Sequence, residues 1–156
     1  MLKILLEQWD KNKELLENQL KLQGRNIEYK DLVKITFGTI YNNNNRLIDE
    51  STGELDIDSI TEIDNGNYQG TLLYLIPFKR YQPSESDYLL TYVGYGSCSV
   101  CDTLLSIVGY DWDKDPLTDE QTIKALLKLC KDILTNTVKP FNNGWRYKSD
   151  FDNVEF

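Results

Sequence analysis

Apolar and polar positions along the chain fall into two rhythms. Leu2, Leu5, Trp9, Leu16 and Leu20 recur at helical spacing, with Leu6 and Leu15 widening the stripe. Residues 2–23 are therefore predicted as an amphipathic helix, with Gly24 as its stop. "DLVKITFGTIY" (Asp31–Tyr41) is rich in β-formers and is predicted as a strand. "NNNN" (Asn42–Asn45) follows as a polar turn. "LDIDSITEI" (Leu55–Ile63) alternates apolar and polar residues with one irregularity, and "DNGN" (Asp64–Asn67) carries an Asn-Gly hairpin signal. "YQGTLLYLIPF" (Tyr68–Phe78) is the most apolar strand candidate, closed by Pro77. "DYLLTYVGYG" (Asp87–Gly96) is a further strand with Tyr88 and Tyr92 on one face.

After Gly96 the rhythm turns helical again. "SVCDTLLSIVGY" predicts a short helix. "LTDEQTIKALLKLCKDILTNT" predicts a long one, with Thr118 as N-cap and Gln121 completing a capping box. Its buried stripe is expected at Ile123, Leu126, Leu127, Cys130, Ile133 and Leu134. The expected architecture is α+β in a single domain, residues 1–156: an N-terminal amphipathic helix, an antiparallel sheet of about four strands, and C-terminal helices.

Composition narrows the chemistry. The chain has no histidine, so it lacks the commonest general base and the commonest metal ligand; Ser–His–Asp and Cys–His arrangements cannot form within it. Lys plus Arg total 17 against 25 Asp plus Glu, giving a net charge of −8. Direct nucleic-acid binding would call for a basic patch, and anionic membrane is repelled by the same charge. No apolar run approaches the roughly 20 residues of a membrane span. Glu7, Asp10 and Glu14 interrupt the N-terminal apolar positions, unlike a secretory signal. The expected compartment is the cytoplasm, where a structural disulfide is disfavoured.

The acids are clustered. Asp49, Glu50, Glu54, Asp56, Asp58, Glu62 and Asp64 make seven acids without a base in one stretch. If that stretch were extended, Glu54, Asp56 and Asp58 would project from one face about 7 Å apart, a row of charge resembling a phosphate backbone. The ordinary alternative is a charged edge strand that resists edge pairing. A second cluster, "DWDKDPLTDEQT", places Asp111, Asp113 and Asp115 at the first three ligand positions of a calcium loop. Pro116 stands where that loop needs Gly, and Thr122 where it needs Glu. Tyr68 and Trp112, beside the two clusters, are the candidate aromatic anchors for a partner.

"TYVGYGSCSVCDTLLSI" (Thr91–Ile107) places Cys98 and Cys101 in a CxxC spacing. Zinc needs four ligands; the remaining cysteine, Cys130, lies on an apolar helix stripe, and Asp102 alone does not close the site. A homodimer bringing two pairs together stays open. A redox role would use a thiolate at the helix start, which the neighbouring Asp102 opposes. The third reading is a strand-to-helix turn. Gly94 and Gly96 would give it backbone freedom, and Ser97 or Ser99 would cap the helix. On this reading no catalytic, cofactor-binding or metal role falls to the cysteines.

"YGSCSVCDTLLSI", together with "ITEIDNGNYQGTLLYLIP" and "YQPSESDY" upstream, resembles a family of small bacteriophage proteins with a recurring Tyr-Gly-Ser-Cys-x-x-Cys-Asp core. The resemblance covers Ile60 to Ile107. The family carries no assigned activity, so the resemblance implies a phage origin and a host-phase protein but no catalytic residues. With the acidic clusters it points to a non-enzymatic protein that binds and inhibits a basic DNA-handling host protein, of replication or defence, by occupying its DNA channel. A thiol-redox or metal-binding module is the alternative class. A regulatory or structural protein whose acids serve only solubility is another.

Overall fold

The structure, a computed structural model, describes residues 2–23, 26–42, 53–66, 70–84, 87–97, 102–108 and 120–137. In chain order the elements are α1 (Leu2–Leu22), α2 (Tyr29–Ile40), β1 (Thr61–Asp64), β2 (Gly70–Pro77), β3 (Tyr88–Tyr95), α3 (Thr103–Val108) and α4 (Glu120–Thr135). A one-turn 3-10 helix, Ile57–Ser59, precedes β1. The protein is α+β, as its patterning predicts, but the sheet has three strands in the order β1-β2-β3, all antiparallel.

The missing fourth strand is α2. Tyr29, Leu32, Val33, Thr36, Phe37 and Ile40 are all buried. Their spacing of three and four is the stripe of a helix, and packing against α1 and α4 outweighs the β-propensity of Val, Ile, Thr and Phe. Asp31 fixes its start by accepting the Glu28 N–H at 2.9 Å.

α1 buries Leu5, Trp9, Leu16 and Leu20 against α2 and α4. The stripe also contains two buried polar residues, Gln8 and Asn12, while Leu15, predicted to widen it, stays 41% exposed. α4 buries Ile123, Leu126, Leu129, Cys130, Ile133 and Leu134; Leu127 is only partly buried. Thr91 of β3 donates to the Ile133 carbonyl at 2.7 Å, which fastens α4 to the sheet.

The hairpin forms where Asp-Asn-Gly-Asn predicts it, with Asp64 opposite Leu72 and Thr61 opposite Leu75. Leu72, Tyr74, Ile76, Leu89, Thr91 and Val93 are buried together on the helix-covered face. The register places Glu62 beside Tyr74 and Asp64 beside Leu72, so both acids stand on that same face of β1. Ahead of the 3-10 turn, Leu55 makes a single bridge to Phe78. Asn42, the first of the four asparagines, copies a strand partner for Leu55: its amide accepts the Leu55 N–H at 2.9 Å and donates to the Leu55 carbonyl at 3.0 Å. Gly24, Asn43 to Asn45 and the proposed Thr118 cap lie outside the described residues.

Candidate functional site

The acidic stretch does not form one extended row. The 3-10 turn at Ile57–Ser59 breaks it, and each part meets a different environment. Glu54 pairs with Lys79 at 2.7 Å. Asp58 pairs with Lys34 at 2.7 Å, which holds its carboxyl below the ordinary range and raises the lysine in return. Asp56 accepts the Ser59 hydroxyl at 2.8 Å. Lys79 is raised first by its bond to Glu54, with smaller contributions from Asp56 and Asp58. The predicted array of bare charges at Glu54, Asp56 and Asp58 is thus corrected: the fold supplies counter-charges from α2 and from the end of β2.

Glu62 and Asp64 differ. Each accepts a hydrogen bond from a tyrosine hydroxyl, Glu62 from Tyr74 at 2.8 Å and Asp64 from Tyr95 at 2.6 Å. The Gly66 N–H adds a second bond to Asp64 at 2.9 Å. These donors hold the Asp64 carboxyl below its ordinary range, Tyr95 first and Gly66 second. Conversely, Tyr95 is pushed up to about 12, chiefly by its bond to Asp64. Burial first, then Glu62, raises Tyr74 as well.

These two acids form one wall of a cleft of about 380 Å³ between the sheet and α3. Ile27, Leu72, Leu104 and Val108 supply an apolar floor, and Glu28 and Asp102 further acids. No Lys or Arg lines the cleft among the described residues. A second hollow of about 430 Å³, between α1 and α2, carries both Asp31 and Lys34 and so lacks this one-sided charge.

Asp102 is the hub behind the cleft and starts α3. Its side chain is buried. Oδ1 accepts from the Tyr29 hydroxyl and from the Leu105 N–H, both at 2.9 Å, and Oδ2 accepts from the Gly96 N–H at 3.0 Å. Tyr29 in turn accepts the Leu104 N–H at 3.1 Å. Among the described residues Asp102 fills the capping role expected of Ser97 or Ser99, joining the end of β3 and the start of α3 to the start of α2. Burial, opposed by the Leu104 bond and supported by Asp102, raises the Tyr29 hydroxyl.

Asp49, Glu50, Tyr68, Cys98, Cys101, Asp111, Trp112, Asp113 and Asp115 lie outside the described residues. Of the predicted partner-binding residues, the structure brings Glu62 and Asp64 together at the cleft. Glu28, Tyr29 and Tyr95 escaped the sequence reading. Their convergence depends on hydrogen bonds across long sequence separations, although Asp102 stood out beside Cys101. Among the described residues no three acidic or thiol groups sit close enough to hold a metal ion. No helix of the described residues is long and apolar enough to cross a membrane. In comparisons with known proteins, no family model, curated protein or solved structure matches the chain.

Proposed function

We propose that the protein is a non-enzymatic binding protein for a basic protein partner, of the DNA-handling kind found in a phage-infected host. The observation that carries this reading is the division of its acids. Glu54 and Asp58 are matched by the chain's own lysines, whereas Glu62 and Asp64 face a cleft that no cation of the described residues lines. Acids facing one cleft repel one another, and a cationic partner relieves that repulsion. A DNA-binding channel offers such cations, and occupying it would inhibit the partner by displacing its nucleic acid.

Capture from bacterial lysate on the immobilised protein tests the reading at low and high salt, with duplex DNA as competitor. The expected catch is a basic DNA-handling protein released both by salt and by DNA. Retention that ignores both, or no basic protein retained, overturns it.

A further inference from the structure

We infer that the cleft between the sheet and α3 is a receptor for a single arginine side chain presented by the protein partner. The inference deepens the proposed function and rests on its premise that the partner is a basic protein. Charge complementarity sets the occupant's sign: acids wall the cleft, and no described lysine or arginine enters it. The floor of Leu72, Leu104 and Val108 sets its body, since an alkyl stem covers such a surface while its charged head reaches the wall.

The choice of arginine over lysine follows from the wall. Glu62 Oε2 is taken by Tyr74 and Asp64 Oδ1 by Tyr95 and Gly66, while the other oxygen of each takes no partner among the described residues. Each carboxylate therefore keeps one oxygen as an acceptor while a tyrosine hydroxyl holds the other. Two carboxylates on alternate positions of one strand face, lining one cleft, suit a planar guanidinium with several donors better than a compact ammonium. The Tyr95 ring at the same wall offers a face on which a guanidinium stacks. A metal ion is a poorer occupant, because among the described residues no third acidic or thiol group completes a ligand set.

The test uses the whole chain with methyl-labelled Leu and Val, titrated with N-acetyl-arginine methylamide and, separately, its lysine counterpart. Saturable shifts are expected at Leu72, Leu104 and Val108, with the arginine probe binding more tightly. Glu62→Gln with Asp64→Asn should weaken the arginine probe by about tenfold or more, since both charge-assisted bonds are lost. Unchanged methyl spectra of the unliganded variant would show that its fold is kept; the wild-type comparison of the two probes decides independently of any variant. Shifts that do not saturate, that map elsewhere, or that fail to distinguish arginine from lysine overturn the inference. If they do so while lysate capture still yields a salt-sensitive basic protein, the broader binding reading stands. If the arginine probe binds but no basic protein is captured, the partner reading falls, and with it the assignment of the arginine to a protein.

Discussion

The bond between Tyr95 and Asp64, 2.6 Å long, moves both partners' proton affinities in opposite directions. Tyr95, raised to about 12 from a model-peptide value of 10.0, keeps a proton in the folded state that the unfolded chain releases earlier. Its contribution to stability is full below about pH 10 and drains as pH rises toward 12. Asp64 behaves in mirror image. Its contribution is full above the ordinary carboxylate range and is lost as pH falls through its depressed value. Ultraviolet titration of the tyrosinates should show Tyr95 ionising late, and Tyr95→Phe should remove that step and return Asp64 towards the ordinary range in a carboxyl NMR titration. A Tyr95 that titrates like a free phenol would contradict the hydrogen bond. Cys130 offers a second residue-scale check. Burial pushes its thiol up to about 12, and the nearby Thr36 hydroxyl, buried without a proper hydrogen-bond partner, offers it only a weak sulfur contact. Labelling in the native state should be slow, and Cys130→Ser should cost about 1–3 kcal/mol by placing a hydroxyl in an apolar stripe. Denaturant unfolding measures that cost.

At the scale of elements, Asp102 and Gly70 hold the joints. Asp102→Ala removes the cap of α3 and leaves the Gly96 N–H and the Tyr29 hydroxyl without their acceptor. The expected cost is about 2–3 kcal/mol in urea unfolding. Tyr29→Phe should cost less, and the two changes together should be less than additive, because they break one shared network. Additive costs would mean that the network does not couple α2 to α3. Gly70 closes the β1-β2 hairpin from the other side. A Cβ there would lie 2.8 Å from Gly66 Cα and 3.0 Å from Gly66 N, backbone atoms with no room to give. Gly70→Ala should therefore destabilise by about 1–3 kcal/mol, as overpacking does, measured by the same unfolding. The hairpin and both long helices were legible in the chain because local signals and packing agree there. α2 departs from the predicted strand because the stripe Leu32, Val33, Thr36, Phe37 and Ile40 runs at helical period through the β-favouring residues "VKITF". Half of the cleft's acids were visible as a cluster. The other half, Glu28 and Asp102, reach it only through tertiary folding, which no local pattern encodes.

For the molecule as a whole, the decisive question is whether its acids act as a diffuse field or as a site. A field depends on net charge, falls off within about 8 Å at physiological ionic strength, and treats equally exposed acids alike. A site does not. Reversing Glu54, Asp56 and Asp58 to lysine changes the charge by two units per residue, moving the chain from −8 to −2. It also sets new lysines against Lys79 and Lys34, which lose their partners Glu54 and Asp58. Exposed pairs contribute little, so the fold should survive. Neutralising Glu62 and Asp64 to their amides moves the chain only from −8 to −6, one unit per residue. If the acids act only as a field, the triple reversal must weaken and slow association with a basic partner far more than the double amide. If the cleft receives a partner side chain, the order inverts in the dissociation rate. The double amide then releases the partner faster, while the triple reversal mainly slows its approach at low salt. Surface-binding kinetics of the two variants at two salt concentrations separate the alternatives. Dissociation rates unchanged by the double amide, with all the loss in association and in proportion to net charge, would leave the cleft without a role in binding.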